Sequence, residues 1–221
     1  MVDYMGAIKR PFSDIQTLII GIVIGAIPLV NLLIPGYMIA AAKNTMGKKA
    51  GLPVWNPNNI VDYLIKTIMV IIIGVVYMII PFIVIAIGGM AFITQAIAGG
   101  AGFTDPAAMM TMITTGGVFI MLGAILAIIA GVLASMGIMF YVKTGELMSA
   151  FNFSGILKKV LTGTYWVSLI VAIVVGIIVS FIAGLFMFIP IVGVFLGGGI
   201  TAYVNGVIGY TIFAQVFMET P

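Results

Sequence analysis

The chain has no cysteine and no histidine, and it carries only nine basic and six acidic side chains. Without cysteine there is no disulfide and no thiolate ligand for a metal. Without histidine there is no imidazole metal site, no His-ligated haem, and no Ser–His or Cys–His relay to activate a nucleophile. The few charges form no basic stripe that phosphates could follow, so nucleic acid is not an expected partner. The small net charge of +3 reads instead as a bias that orients the chain in a membrane.

What is abundant is hydrocarbon. Hydrophobic residues make up 63% of the sequence and charged ones 7%, whereas soluble domains carry roughly 45–50% apolar and about 25% charged residues. Lipid is the solvent that suits such a chain. The expectation is an all-α fold, a single transmembrane domain over residues 1–221. Four long apolar runs, 68–94, 110–142, 161–188 and 191–218, exceed the length that marks a membrane span. A fifth, 18–42, is too long for the core of a cleaved signal peptide. It is interrupted by Pro28, Asn31, Pro35 and Gly36, a combination that reads as a turn between two short helices, about 12–27 and 34–46. That gives five to six membrane segments: four spans and a proline-broken pair.

The basic residues test this reading. Lys9 and Arg10 precede the broken run, and Lys43, Lys48, Lys49 and Lys66 follow it. The loop 95–109 has no basic residue, and Lys143, Lys158 and Lys159 fill the loop after the next span. If the broken run doubles back, every basic residue falls on one side, which the positive-inside rule makes cytoplasmic. Both termini are then cytoplasmic, in a multi-pass protein of the cell membrane. Residues 12–46 are also echoed by 153–210: Ile27-Pro28-Leu29-Val30 returns as Ile189-Pro190-Ile191-Val192, and Phe12-Ser13-Asp14-Ile15 as Phe153-Ser154-Gly155-Ile156. Such a duplication suits transporters and plain helical bundles alike.

Several local features recur together: Gly36-Tyr37 after the Ile-Pro turn, Leu52-Pro53-Val54-Trp55 in the basic loop, Asp62-Tyr63 entering the next span, and Tyr77 before Ile80-Pro81. With these the chain resembles the prokaryotic, mostly archaeal, integral membrane proteins catalogued as domain of unknown function 4013. The resemblance is carried by the first half, with Leu-Pro-x-Trp its most specific part. It implies a fold type and transfers no catalytic residue or cofactor.

Small residues spaced four apart let helices pack closely in lipid. Three ladders have this spacing: Gly123, Ala127, Gly131 and Ser135; Ala172, Gly176, Ser180 and Gly184; and Gly193, Gly197, Thr201, Asn205 and Gly209. They are expected to line bundle contacts, a seam between copies, or a solute path. Asn31 and Asn205 are the strongest polar groups within the runs. Asn31 is expected to satisfy backbone groups freed at the turn, and Asn205 to bond a neighbouring helix or, in a transporter, a solute. The absence of intramembrane charge argues against proton coupling and ion pumping. The loop 43–59 joins Lys43, Lys48 and Lys49 to Trp55, a set suited to anionic lipid headgroups or a docked partner. Tyr165 and Trp166 extend this aromatic belt. No cofactor or catalytic set is expected. The reading is a non-enzymatic membrane component, oligomeric or joined to another membrane protein. A transporter or channel for a small neutral or lipid-like solute is the alternative.

Overall fold

The computed structural model describes residues 1–49, 51–98, 106–190 and 192–220, and within these no strand forms. A short helix α1 (Tyr4–Lys9) is capped by Asp3, whose carboxylate accepts from the Gly6 amide at 2.8 Å. Helix α2 (Ile15–Ala26) starts where Asp14 accepts from the amides of Gln16 and Thr17, a standard way to satisfy orphan donors at a helix start. The hydroxyl of Thr17 also donates to Asp14 at 2.7 Å. This bond, with the backbone ones, holds the Asp14 carboxyl below the usual carboxylate range. The contribution is therefore present above the ordinary carboxylate pKa and fades only as pH falls through the lowered value. Helix α2 stops at Ile27, which is extended because a following proline disfavours the helical conformation. A 3-10 turn at Val30–Leu32 then leads into α3 (Leu33–Met46).

Helix α4 (Ile60–Ala98) passes through Pro81. A 3-10 turn, Pro57–Asn59, capped by Asn56 through the Asn58 amide, leads into it, and Asp62 and Lys66 pair along its first turns at 2.5 Å. Helix α5 (Pro106–Met112) continues through a π turn, Ile113–Gly117, into α6 (Val118–Thr144). The expected 95–109 loop thus shrinks from both ends, and its middle, 99–105 with Asp105, lies outside the described residues. Helices α7 (Phe153–Val160) and α8 (Gly163–Leu185) follow, then α9 (Val192–Ile200), a second π turn at Thr201–Asn205, and α10 (Gly206–Glu219). Four stretches are long and apolar enough to cross a membrane: Pro57–Thr94, Met109–Thr144, Gly163–Gly184 and Val192–Glu219. The chain is an all-helical membrane protein. Helix α2, at ~18 Å, and α3, at ~21 Å, each fall short of a hydrocarbon core of about 30 Å.

The residues form two compact units, one of Met1–Ile73 with Ser135–Pro221, the other of Gly74–Ala134. In the smaller unit α4 and α6 touch through glycine. A Cβ added to Gly88 would lie 2.7 Å from the carbonyl oxygen of Gly116, and one on Gly116 would lie 2.8 Å from that of Gly88. Gly123 of the first predicted ladder presses on Ile85 and lies near the Pro81 carbonyl. Ala127 is half-buried, and at Gly131 a Cβ would only graze the Met78 methyl at 4.0 Å.

In the larger unit the chain returns to its starting end after α3. The Arg10 guanidinium, which precedes α2, donates to the Thr45 hydroxyl near the end of α3 and to the Gly51 carbonyl at 2.9 Å. The α2–α3 pair packs on α9 and α10. A Cβ on Gly25 would sit 3.1 Å from the Gly199 Cα, and the Tyr203 ring covers Gly21. These glycines, together with Gly36, make closer contacts than most of the predicted ladders do. Gly197 lies against the Ala183 carbonyl, and Gly193 against that of Phe186. The other ladder positions are not covered in this way by the described residues. Ala172 is half-buried, and a Cβ on Gly176, Gly184 or Gly209 would meet open space. The i, i+4 pattern finds a small-residue face, but the crossing point of two helices selects which of its glycines are covered.

The sequence echo has a mixed structural counterpart. Ile27 (φ −92°, ψ 118°) and Ile189 (φ −87°, ψ 112°) share one extended conformation before their prolines. Upstream, Asp14 caps α2 whereas Gly155 lies inside α7.

Candidate functional site

The motif residues meet in the larger unit. Gly36 brings α3 against the backbone of Tyr63, so closely that a Cβ would overlap the Tyr63 carbonyl. The next residue, Tyr37, is fully buried. Its ring stacks on Trp55 at 4.1 Å and 10°, meets Tyr63 edge-on at 5.8 Å, and leans on Tyr203 at 5.9 Å. Trp55 also meets Tyr63 edge-on at 5.6 Å. Offset and edge-to-face contacts of this kind add roughly 0.5–1.5 kcal/mol each beyond burial. The Tyr37 hydroxyl donates to the Pro53 carbonyl at 2.8 Å. The Leu-Pro-x-Trp loop is thus fastened by a hydrogen bond and a ring stack. Trp55 is half-buried in this cluster, so its ring face serves the fold.

Asn31 also departs from expectation. It is exposed in the turn, and among the described residues its side chain bonds nothing. Thr67, from α4, does the work expected of it: its hydroxyl donates to the Leu32 carbonyl at 2.6 Å and accepts from the Gly36 amide at 2.9 Å. Sequence spacing gives no hint of this, because the two partners are more than thirty positions away. Asn205 does bond a neighbouring helix. Its amide nitrogen donates to the Ser180 hydroxyl at 3.1 Å and the Gly176 carbonyl at 3.4 Å on α8. Its oxygen is buried and has no partner among the described residues.

The polar end of this unit gathers the basic residues. The Asp3 amide donates to the Gln215 side-chain oxygen at 2.7 Å, and Tyr4 shares a 2.9 Å hydroxyl bond with Ser168, so α1 lies across α8 and α10. Lys43, Lys48 and Lys49 are exposed. Lys48 holds φ 53° just past α3, where the Lys49 amide closes back on the Asn44 carbonyl at 2.9 Å. Glycine is the favoured residue at such a left-handed helix stop. Lys48→Gly is expected to raise stability by about 1 kcal/mol, read as a higher midpoint in thermal unfolding of the detergent-solubilised protein.

Lys158 and Lys159 part company. Lys158 is exposed, whereas Lys159 is buried, donating to the carbonyls of Phe217 and Thr220 at 2.9 Å each. Its ammonium also lies 4.3 Å from the centre of the Phe217 ring, with Lys143 on the same ring at 5.6 Å. Burial, then the nearby Lys143 charge, lowers its pKa. Arg10 is half-buried and its guanidinium is likewise lowered by burial, with Tyr37 acting the other way. Of the expected aromatic belt, Trp166 is exposed, while Tyr165 is buried and shares a 2.9 Å hydroxyl bond with Ser135.

These arrangements fasten helices and gather positive charge at one end. No curated protein and no solved structure matches the chain. A family model described as a protein of unknown function (DUF4013) matches residues 19–188. That stretch runs from α2 through the end of α8 and includes Tyr37, Trp55 and Tyr63. The chain therefore belongs to the DUF4013 family of proteins of unknown function.

Proposed function

We propose that the protein is a non-enzymatic component of the cell membrane whose α8–α9 face packs against a membrane helix of a second copy or of another subunit. The observation that carries this reading is a groove of about 460 Å³ lined by small residues, among them Ser180, Gly184, Gly197, Gly198 and Thr201. The described residues of the chain leave it open, and Gly184 has nothing against it. Small residues favour close helix approach in lipid, where apolar burial supplies no drive. In this reading α2 and α3 form a re-entrant pair, because neither is long enough to cross and Arg10 ties their two ends together. Both termini and the basic end then face the cytoplasm.

The cysteine-free sequence makes the test clean. With Gly198→Cys, mild oxidation in native membranes should give a disulfide-linked dimer, or a bifunctional thiol reagent should capture one defined membrane partner. A monomer in mild detergent, together with no crosslink from this position, would sink the reading.

Transport of a small neutral solute is the second reading. It draws on the Thr201–Asn205 π turn, a form of backbone often found at functional sites, and on the unpaired Asn205 oxygen. It requires that a cysteine at position 205 react with a water-soluble maleimide. Protection from the reagent in every condition tested would count against it.

A further inference from the structure

We infer that the polar end of the larger unit holds a phosphate-binding cleft, built from Lys9, Arg10, Lys49 and Gln215 and suited to the phosphate of an anionic membrane lipid. A cleft of about 320 Å³ is lined by these four residues together with Asp3 and Thr211. It adjoins a larger one of about 630 Å³ that shares Asp3, Arg10, Lys49 and Gln215 and adds Lys48 and Glu219.

The charges do not cancel locally. The smaller cleft sets three cations, Lys9, Arg10 and Lys49, against one carboxylate, Asp3, which keeps its charge while it caps α1 through the Gly6 amide; in the larger one Glu219 pairs with the Met1 amino group. Among the described residues Lys9, Arg10, Lys48 and Lys49 have no carboxylate partner. Arg10 is the informative one. It is half-buried, and the groups that hold it, the Thr45 hydroxyl and the Gly51 carbonyl, are both neutral. They fix its orientation without offsetting its charge. Each of its two terminal nitrogens keeps a second N–H, and the side chain lines both clefts, so it can donate to phosphate oxygens.

Gln215 supplies a neutral donor. The Asp3 amide donates to its side-chain oxygen, which leaves its amide nitrogen, unpartnered among the described residues, to donate. Thr211, 1% exposed, lines the same cleft, and its hydroxyl has no partner among the described residues.

The placement at headgroup depth rests on the membrane orientation proposed above. It does not depend on oligomerisation, so a monomeric protein would leave it standing.

The test uses delipidated, detergent-purified protein in native mass spectrometry, titrated with phosphatidylglycerol or with phosphatidylcholine, whose choline would bring a cation into a cationic cleft. Wild type should retain phosphatidylglycerol about tenfold more tightly. The double variant Lys9→Gln/Lys49→Gln, in which both side chains are solvent-exposed and the fold is expected to persist, should lose about tenfold of that affinity, the size of one charge-assisted bond. Phosphatidylcholine binding should not change. Lys158→Gln, outside the cleft, controls for general attraction to anionic lipid and should behave as wild type.

A second arm adds inorganic phosphate at constant ionic strength against chloride. If phosphate raises the thermal midpoint and displaces phosphatidylglycerol, the cleft accepts the free anion as well. If it does neither while the lipid result holds, the lipid is the source. Equal retention of the two lipids, or a double variant that binds like wild type, overturns the inference.

Discussion

Gly36→Ala is expected to destabilise the protein by about 3 kcal/mol or more, and to loosen the loop that carries Trp55. The added methyl group would land on the Tyr63 carbonyl oxygen, which belongs to the backbone of α4. Flexible side chains can swing away from an intruding methyl, but a helix carbonyl moves only with its helix. Overpacking a close contact usually costs about 1–3 kcal/mol. Here the helices must part, and parting them also stretches the two bonds of Thr67, to the Gly36 amide and the Leu32 carbonyl. Those bonds satisfy backbone groups at the start of α3, and a buried backbone group left unpaired costs about 1–3 kcal/mol. The Tyr37–Trp55 stack is one residue away along the chain, so its near-ultraviolet circular dichroism should weaken along with the thermal midpoint. Gly89→Ala is the control. A Cβ there meets nothing, and alanine's better helix propensity should leave stability unchanged or raise it by up to about 1 kcal/mol. If Gly36→Ala unfolds like wild type, the close α3–α4 approach is not as described, and the convergence of the motif residues falls with it.

That convergence shows where sequence suffices and where it fails. Runs of hydrocarbon fix the number of long helices, because length and hydropathy are local properties, and Pro28 marks the end of α2 for an equally local reason. The aromatic motif is visible as well, since Gly36-Tyr37, Leu52-Pro53-Val54-Trp55 and Asp62-Tyr63 stand out in an aliphatic background. Their meeting point is not visible, because it depends on how α3 crosses α4. Tyr203 joins the cluster from a π turn far along the chain, and Thr67 supplies the bonds that Asn31 was expected to make. The glycine ladders have the same limit. Spacing of four identifies a face, yet Gly25 and Gly199 make the crossing while Gly176 and Gly184 stay open. In the candidate phosphate cleft, Lys9, Lys48 and Lys49 can be read as a charge cluster. Gln215 and Thr211 arrive from α10 and carry no local signal.

Lys159→Ala is expected to cost about 2–3 kcal/mol, a large effect for a lysine that sequence reads as surface. Its ammonium occupies the C-terminal end of α10, donating to the carbonyls of Phe217 and Thr220 while resting on the Phe217 ring. The last carbonyls of a helix lack intrahelical partners, and a cation there also meets the negative end of the helix dipole. Hydrogen bonds to charged groups contribute about 1.5–3 kcal/mol, so alanine removes that support and leaves buried acceptors unpaired. Lys158→Ala, one residue away and exposed, should change stability little. The pH dependence separates a buried charge from simple packing. Burial and Lys143 lower the Lys159 pKa in the folded state, so the unfolded chain holds this proton more tightly. Stability of wild type relative to Lys159→Met should therefore be greatest above the ordinary lysine pKa of about 10.4. It should decline as pH falls through the lowered folded value and level off below it. A difference between the two proteins that stays flat across this alkaline window would mean that the carbonyl bonds and the helix end fully offset the burial of the ammonium.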